Sequence, residues 1–336
     1  MRILVTGSAG FIGHALSRRL LSEGHEVTGF DALTDYYDLR LKQARHADLA
    51  VFPAFVPVEA RLETPGALLQ TVSAAPPDLV FHLAAQAGVR YSLENPQAYV
   101  DANLQGTANL LEALRAHPPR HLLFASTSSA YGGNTELPFR ETDRAVTPLT
   151  LYAASKLAGE AMAHSYAHLF AIPTTAFRFF TVYGPWSRPD MAPFLFTKKI
   201  LEGEPIDVFG DGTPERDFTF IDDLVEAIRR LADTPPPAPG AGQPVGPEDS
   251  LSPVAPYRLV NIGGGNPRRV SELIDVIEAA LGRKAERRHR PLPPGDVART
   301  DASTALLERL VGRVPETSLE DGIAAFVVWY REFYGV

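Results

Sequence analysis

MRILVTGSAGFIG, residues 1–13, joins a short apolar run to a glycine-rich turn and to the first residues of a helical pattern. The apolar run Arg2–Thr6 predicts a buried strand, and Gly7, Gly10 and Gly13 follow it directly. Glycines in such a turn let a pyrophosphate approach the backbone N–H groups at a helix N-terminus. The G-x-x-G-x-x-G spacing is one residue longer than the G-x-G-x-x-G form. Its position between a strand and a helix nevertheless favours a dinucleotide site over a turn that binds nothing.

Strand and helix patterns alternate through the first half of the chain, which is typical of a parallel, doubly wound sheet. The predicted strands are apolar throughout, as strands covered on both faces are. They are Arg2–Thr6, Glu26–Asp31, Phe52–Val58, Leu79–Leu83, His121–Ser126 and Thr174–Phe179. The predicted helices between them are Phe11–Glu23, Tyr99–Ala116 and Leu151–Phe170. The predicted fold class is α/β, with a Rossmann-like sheet and a smaller C-terminal α/β lobe.

After Phe179 the pattern changes to a predicted loop over residues 179–193, followed by shorter elements. The predicted elements are helices at Phe194–Glu202, Ile221–Ala232, Val270–Leu281 and Ser318–Phe333, and strands at Ile206–Phe209 and Arg258–Ile262. Residues 234–256 are rich in Pro and Gly and nearly free of large apolar side chains. We expect this segment to be an exposed, mobile loop.

The composition of the 336 residues, 45% hydrophobic and 21% charged, indicates a globular protein with a large core. A net charge of -8 gives no basic field for nucleic acid or an anionic membrane, and no apolar run could span a bilayer. The N-terminus lacks the pattern of a signal peptide, so the cytoplasm is the expected compartment. Cysteine is absent, and His164 and His168 lack a third ligand, so no metal site is predicted.

Asp31 ends the second predicted strand, where a carboxylate can accept hydrogen bonds from the hydroxyls of an adenosine ribose. A carboxylate at this position would repel a 2′-phosphate, and no Arg follows it immediately. The sequence therefore favours NAD over NADP as the cofactor. Capping of a helix N-terminus is an alternative role for Asp31, and the two roles are compatible.

Tyr152 and Lys156 form a Tyr-x-x-x-Lys pair in TLYAASKLAGE, residues 150–160. They are one helical turn apart, so the phenol and the ammonium would share a face of the helix. A nearby cation favours the phenolate, and we expect Lys156 to lower the pKa of Tyr152 toward neutrality. Tyr152 could then act as an acid or base on a sugar hydroxyl. Together with a dinucleotide site, the pair predicts hydride chemistry at an alcohol carbon.

These motifs resemble the extended short-chain dehydrogenase/reductase family over nearly the whole chain. The other matching segments are HLAAQAGVRYS at His82–Ser92, the helix with Asn103, STSSAYG at Ser126–Gly132 and RDFTFIDD at Arg216–Asp223. Within the family the chain looks most like the nucleotide-sugar 4-epimerases, which implies a UDP-sugar substrate, NAD and a homodimer. The resemblance also implies that residues 1–180, with 217–260 returning to them, bind NAD. Residues 181–216 and 261–336 would bind the UDP-sugar.

The resemblance implies a role for each matching residue. Tyr152 would be the acid/base, Lys156 would bind the nicotinamide ribose, and Thr127 would lie beside the C4 oxygen of the sugar. The implied cofactor-binding residues are Gly7, Gly10, Phe11, Ile12, Gly13, Asp31, Glu59, Ala60, Leu83, Ala84, Ala85, Gln86, Asn103, Tyr152 and Lys156. Arg216 would contact the UDP phosphates, with Asp296 also at the substrate.

Two positions depart from the family pattern. Glu59 stands where the family usually has an Asp before the adenine, and Pro293 stands where many relatives have a second phosphate-binding Arg. Arg188 or Arg299 could substitute for that second Arg.

Ser129 favours simple epimerisation over the related reactions. The related dehydratases and decarboxylases resemble Ser-Thr-Asp-Glu-x-Tyr-Gly and Ser-Thr-Ser-Glu-x-Tyr-Gly in this region, whereas Ser129 occupies the acidic position here. Without that carboxylate the chain has no obvious further proton-transfer group. We therefore expect the sugar to be changed at C4 alone.

The hydroxyl-rich loops suggest a substrate with a 6-carboxylate. Its 4-keto form would be a β-keto acid that can lose CO₂, so the enzyme must fix the orientation of the carboxylate. The candidate donors are the hydroxyls of Thr127, Ser128, Ser129 and Thr181 and the cations Arg90 and Arg188. The alternative is a strand-end turn in which Thr127, Ser128 and Ser129 bond their own backbone.

The first hypothesis is 4-epimerisation of UDP-glucuronate to UDP-galacturonate. The alternatives are a UDP-hexose or UDP-N-acetylhexosamine 4-epimerase, a UDP-glucuronate decarboxylase, and a non-catalytic NAD-binding regulator. Phe209 and Trp186 are candidates to pack near the uracil, although core packing would explain both equally well.

Overall fold

The computed structural model describes residues 1–293, 295–314 and 316–336. The strands are Arg2–Thr6 (β1), Glu26–Asp31 (β2), Phe55–Glu59 (β3), Leu79–His82 (β4), His121–Thr127 (β5), Thr174–Phe179 (β6), Thr181–Tyr183 (β7), Ile206–Phe209 (β8), Glu215–Phe220 (β9), Tyr257–Ile262 (β10), Pro267–Arg269 (β11) and Arg287–Arg290 (β12).

The helices surround these strands. They are Phe11–Ser22 (α1), Leu39–Ala50 (α2), Ala67–Ala74 (α3), Tyr91–Glu94 (α4), Pro96–Tyr99 (α5), Gly106–Ala116 (α6), Leu151–Phe170 (α7), Ala192–Glu202 (α8), Ile221–Leu231 (α9), Val270–Leu281 (α10), Ala305–Val311 (α11) and Leu319–Tyr334 (α12). Within the described ranges, no helix has the length and apolar composition needed to cross a membrane.

Seven strands form one parallel sheet in the order β10-β6-β5-β4-β1-β2-β3. The winding reverses between β1 and β4, and ligands bind at the carboxyl ends of strands where such a reversal occurs. The predicted doubly wound fold is confirmed. The predicted strand bounds are close to those observed, except that β3 begins at Phe55 rather than at Phe52.

Both faces of this sheet are buried, which explains why its strands are apolar without alternation. Successive residues of β4 and β5 point to opposite faces and enter different apolar clusters. Val80 and Leu122 pack in a cluster that includes α6, whereas Phe81 and Leu123 pack in the cluster that includes α1 and α9.

The remaining strands form two smaller sheets. β7, β9 and β11 form a three-stranded sheet, and β8 pairs with β12. The loop predicted over residues 179–193 therefore contains a strand, β7, whose three residues are too few to give a period in the sequence. An aromatic cluster of Phe194, Phe326, Trp329 and Tyr330 joins α8 to α12 in this lobe.

The helix predicted over Tyr99–Ala116 is not continuous. Residues Val100–Gln105 form a π-helical turn between α5 and α6. The Asn103 side chain in this turn accepts a hydrogen bond from the Gln86 backbone N–H at 2.8 Å and donates to Ser155 Oγ at 2.9 Å. Such turns are frequent at functional sites, and apolar periodicity does not distinguish them from a regular helix.

Residues 234–256 contain no helix or strand, as predicted, but only the first part of the segment is largely exposed. The second part packs against the large sheet, and Ala255 is fully buried. Arg258 of β10 donates from Nε to Asp249 Oδ1 at 2.9 Å, and the side chains are 4% and 0% exposed. His164 contacts Ser252 Oγ at 2.9 Å. The prediction of an exposed loop is wrong for this part, because a buried ion pair cannot be inferred from Pro and Gly content.

We expect Asp249→Ala to lower the free energy of unfolding by about 3–5 kcal/mol, because it leaves the Arg258 charge buried without its partner. Urea denaturation followed by circular dichroism measures this change. Asp233→Ala is the control, since the Asp233 side chain is 63% exposed in its pair with Arg229. The control substitution should lower the free energy of unfolding by less than about 1 kcal/mol. Equal losses in the two variants would contradict the buried pair.

Candidate active site

A cavity of about 860 Å³ lies at the carboxyl edge of the large sheet, with walls from the two smaller sheets. This volume is in the upper part of the range of about 300–1,000 Å³ found for small-molecule sites. The turn after β1 and the ends of β2, β4, β5 and β6 line one side. The cavity therefore occupies the position where the reversal of strand order predicts a ligand.

The cavity brings together most of the predicted site residues. Those predicted for the cofactor that line it are Gly7, Gly10, Phe11, Ile12, Gly13, Asp31, Ala60, Leu83, Ala84, Ala85, Gln86, Tyr152 and Lys156. Those predicted for the substrate that line it are Arg90, Thr127, Ser128, Ser129, Thr181, Arg188, Phe209, Arg216 and Asp296.

Two residues predicted for the cofactor do not line the cavity. Glu59 ends β3 with an exposed side chain, and it is the next residue, Ala60, that reaches the lining. Asn103 is buried behind the lining, where its side chain also donates to the Gln86 carbonyl oxygen at 3.0 Å. Asn103 thus fixes the Gln86 backbone beside the cavity and does not line the cavity itself.

The glycine-rich turn leaves no room for side chains between β1 and α1. A Cβ on Gly7 would lie 2.8 Å from the Ala84 nitrogen, and φ of Gly7 is +78°. A Cβ on Gly13 would lie 1.9 Å from the Gly7 carbonyl oxygen. The turn is therefore a bare-backbone cradle at the N-terminus of α1, which fits a pyrophosphate.

Asp31 is fixed by the backbone at the other end of this cradle. Its Oδ2 accepts a hydrogen bond from the Ala9 N–H at 2.9 Å, and its Oδ1 accepts one from the Leu33 N–H at 2.8 Å. A carboxylate has about four lone-pair positions, so each oxygen keeps acceptor capacity for a ribose hydroxyl. Lys42 also lines this region and donates from Nζ to the Thr34 carbonyl oxygen at 2.6 Å. The sequence analysis missed Lys42, which has no motif around it.

Tyr152 lies in the first turn of α7, where Thr150 caps the helix by accepting a hydrogen bond from the Ala153 N–H at 3.2 Å. Burial raises the pKa of Tyr152, and the Thr127 hydroxyl and the Arg188 guanidinium act in the opposite direction without outweighing it. The prediction that Lys156 lowers the pKa of Tyr152 toward neutrality is wrong in this structure. Sequence spacing shows that the two side chains share a face, but it does not show the burial that dominates.

Lys156 lines the cavity, where its ammonium group can donate to a ligand. Burial lowers the pKa of Lys156 to about 8, and the charge of Glu160 opposes this shift. Glu160 is already engaged, because Arg178 donates to both of its oxygens at 3.0 and 2.8 Å and the Ser126 hydroxyl donates to Oε1. The Lys156 ammonium lies 5.2 Å from the centre of the Phe124 ring.

The strand-end hydroxyls are arranged differently from one another. Thr127, the last residue of β5, accepts a hydrogen bond from the Ser129 N–H at 3.2 Å. Among the described residues, the Ser128 and Ser129 hydroxyls have no hydrogen-bond partner, and both side chains line the cavity. Thr127 therefore provides the hydrogen bond from a side chain to the backbone of this turn, and the hydroxyl groups of the two serines are available to a ligand.

Arg188 and Arg90, the two cations predicted to orient the substrate carboxylate, contact different groups. Arg188 donates from Nε to Asp190 Oδ1 at 3.0 Å, and the Tyr36 hydroxyl donates to the other oxygen at 3.1 Å. Arg90 stacks over the Phe209 ring at 4.7 Å from its centre and lies 3.5 Å from Asp296. Tyr36 lines the cavity and is a second residue that the sequence analysis missed.

Two further candidates lie outside the cavity. Arg299 pairs with Glu215 at 3.1 Å and with Asp301 at 2.9 Å, so its charge is already compensated by carboxylates. Trp186 packs in the core, 5.0 Å from the ring of His14 and 5.4 Å from that of Trp329. Of the two cations suggested in place of the missing Arg, only Arg188 reaches the cavity.

Comparison with known proteins identifies the family of the chain. The family model described as "NAD dependent epimerase/dehydratase family" matches residues 3–241. A probable UDP-glucuronate 4-epimerase of Rhizobium meliloti (strain 1021) is 54% identical over 99% of this chain and 98% of its own length. UDP-glucuronate 4-epimerase 3 of Arabidopsis thaliana is 43% identical over 99% of this chain and 77% of its own length.

A solved structure is similar over the same extent. The crystal structure of UDP-glucuronic acid 4-epimerase from Bacillus cereus, in complex with UDP-glucuronic acid and NAD, has a TM-score of 0.88. It is 32% identical to this chain, and the similarity covers 99% of this chain and 100% of the other. The family match covers well over half of the sequence. The chain therefore belongs to the NAD dependent epimerase/dehydratase family.

Proposed function

We propose that the protein catalyses the NAD-dependent 4-epimerisation of UDP-glucuronate to UDP-galacturonate through a transient 4-keto sugar. The observation that carries the proposal is the composition of one cavity wall. Tyr152, Lys156 and Thr127 line the cavity together. Ser129 also lines it, at the place where the sequence patterns of the related dehydratases and decarboxylases have a Glu. The first three residues suit oxidation and reduction at a sugar alcohol. Because Ser129 is not a carboxylate, it provides no proton-transfer group for a reaction beyond C4.

The residues around the glycine cradle suit NAD. The backbone of Gly7, Gly10 and Gly13 would hold the pyrophosphate, and Asp31 would accept the hydroxyls of the adenosine ribose. Lys156 would donate to the nicotinamide ribose. When bound, NAD supplies a positively charged ring that accepts a hydride from C4 of the sugar and later gives it back.

Tyr152 carries the proton of the reaction. The positive charge of the bound NAD ring would oppose the effect of burial and favour the Tyr152 phenolate. The phenolate would take the proton of the C4 hydroxyl as C4 is oxidised, and the phenol would return that proton when the ketone is reduced from the opposite face. The Thr127 hydroxyl, which acts to lower the pKa of Tyr152 against the effect of burial, would also contact the C4 oxygen. Proton and hydride are each removed once and returned once, so the sugar changes only its configuration.

The hydroxyl groups of the substrate side suit retention of the carboxylate. Ser128, Ser129 and Thr181 line the cavity, and neither serine is occupied by another described residue. If these hydroxyls fix the 6-carboxylate so that its bond to C5 lies out of line with the ketone π-system, loss of CO₂ is slow. Arg188 would add a charge-assisted hydrogen bond.

We expect the double variant Ser128→Ala/Ser129→Ala to release CO₂ during turnover, because the carboxylate of the 4-keto sugar is no longer oriented. We also expect kcat/KM for UDP-glucuronate to fall about tenfold or more, from the loss of hydrogen bonds to a charged group worth about 1.5–3 kcal/mol each. Mass spectrometry of the nucleotide products, with UDP-pentose as the marker, measures the first effect. Thr213→Ala is the control, because Thr213 is exposed and does not line the cavity. A variant that forms UDP-galacturonate without UDP-pentose at the wild-type rate would contradict the assignment.

The substrate is tested by a panel of sugars. Purified protein with NAD is incubated separately with UDP-glucuronate, UDP-glucose and UDP-N-acetylglucosamine, and the products are separated by chromatography. The proposal expects conversion of UDP-glucuronate at a kcat/KM at least tenfold above the others. Conversion of an uncharged sugar at an equal rate would contradict it.

We also propose which parts of the chain bind each ligand, that the protein is a homodimer, and that it is located in the cytoplasm. Residues 1–180 with 217–260 would bind NAD, and residues 181–216 with 261–336 would bind the UDP-sugar. Small side chains such as Ala108, Ala154 and Ala158 are partly exposed on α6 and α7, which suits a homodimer with these helices at its two-fold axis. Light scattering on purified protein should give twice the mass of 36.5 kDa, and cell fractionation should find the protein in the cytoplasm.

A further inference from the structure

Arg45 on α2 is a fully buried cation whose partners in the described chain are all neutral. Its exposed fraction is 0%. Nη1 donates to the Ala9 carbonyl oxygen at 2.9 Å and to the Tyr37 hydroxyl at 2.6 Å. Nη2 donates to the carbonyl oxygens of Trp186 at 2.6 Å and Ser187 at 3.4 Å. A buried cation without an anion costs folding free energy, so this guanidinium calls for an explanation other than stability.

The backbone acceptors lie in two different segments, each of which includes residues that line the cavity. Ala9 lies in the glycine-rich turn, and its N–H donates to Asp31, so its peptide groups are held from both sides. Trp186 and Ser187 immediately precede Arg188, which lines the substrate side. Arg45 itself does not line the cavity.

The segment ahead of Arg188 has a conformation that needs support. Gly184 has φ of +138° and Trp186 has φ of +63°, a value that is costly for a bulky residue. The Trp186 ring is held between His14 and Trp329, and its carbonyl oxygen is held by Arg45. The planar guanidinium, with donors in a fixed fork, can hold this carbonyl and that of Ala9 at once.

We propose that Arg45 is a positioning residue that fixes the glycine-rich turn and the Gly184–Arg188 segment relative to each other. The cofactor cradle and the substrate cation Arg188 are thereby linked into one unit. A ligand that orders one side also orders the other through Arg45, so binding of NAD and of the nucleotide of the substrate is coupled. The substrate half of this proposal rests on the function proposed above.

Arg45→Lys and Arg45→Gln test the proposal. Lys keeps the charge, but its single ammonium cannot span both carbonyl groups, and Gln is shorter and neutral. After removal of bound NAD, calorimetry gives the dissociation constants of NAD and of UDP, each with and without the other ligand. Steady-state rates with UDP-glucuronate give kcat and KM. Arg40→Met is the matched control, because Arg40 is on the same helix with a side chain that is 82% exposed.

Both variants should weaken NAD binding and raise KM for UDP-glucuronate by about tenfold or more, with kcat at saturation within about threefold of wild type. NAD should no longer change the affinity for UDP, whereas in wild type and in Arg40→Met it should raise that affinity about fivefold or more. Wild-type dissociation constants and KM in Arg45→Lys would overturn the proposal. A loss confined to kcat, or loss of fold in both variants, would overturn it as well, since Arg45 would then act in catalysis or only in the core. A wild-type protein that binds NAD and UDP but does not convert UDP-glucuronate would reject the proposed function and leave this binding comparison intact.

Discussion

Tyr152→Phe should lower kcat by roughly 10²–10⁴-fold while leaving NAD bound, because it removes the group that carries the proton of the C4 hydroxyl. The ring stays in place against the rest of the cavity wall, so the dissociation constant of NAD should not change. Stopped assays with long incubation times measure the residual rate, and calorimetry measures NAD binding. A variant that loses NAD along with its activity would indicate a structural role for the phenol.

The control for Tyr152→Phe lies on the same helix. The Tyr166 hydroxyl donates to Glu112 near the C-terminal end of α7, and neither residue lines the cavity. Tyr166→Phe should therefore retain wild-type activity. Comparable losses in the two variants would show that the phenols act through the stability of the helix rather than through proton transfer.

Gly7→Ala should weaken NAD binding by about 100-fold or more and destabilise the fold. Its Cβ would meet backbone atoms of Ala84 at 2.8 and 2.9 Å, and backbone cannot yield as the end of a side chain can. Relief of such crowding costs about 3 kcal/mol, which corresponds to about 100-fold in affinity if the turn is displaced from the ligand. Calorimetry with NAD and thermal unfolding measure the two effects.

Gly24→Ala separates crowding from backbone strain. Gly24 has φ of +82°, close to the +78° of Gly7, but a Cβ on it would have no atom within 4 Å. This control should lose only about 1–2 kcal/mol of stability, the cost of the left-handed conformation, and should bind NAD normally. Equal losses of NAD affinity in the two variants would contradict a cradle formed by close backbone contact.

The parts of the site that were predictable from the sequence are those fixed by short-range spacing. Gly7 to Gly13 and the pair Tyr152 and Lys156 each lie within a few residues, so strand, turn and helix geometry determine their arrangement. The doubly wound sheet was predictable for the same reason, because a strand buried on both faces is apolar at every position, and this pattern is visible within a few residues.

The contacts that were not predictable join distant segments or depend on burial. Arg45 contacts Trp186 across 141 residues, and Tyr36 reaches Asp190 across 154. No local pattern marks either contact. The raised pKa of Tyr152 belongs to the same class, because desolvation depends on the whole cavity wall and not on the neighbour one helical turn away.

The central claim is that hydride and proton leave and return at C4 with nothing else on the sugar disturbed. NMR spectroscopy of the products formed from UDP-glucuronate in D₂O tests it most directly. The account predicts UDP-galacturonate that keeps its carboxylate and has protium at C4 and C5, because the hydrogen removed from C4 is the one restored and C5 is never deprotonated. Deuterium at C4 or C5, or formation of a UDP-pentose, would contradict it.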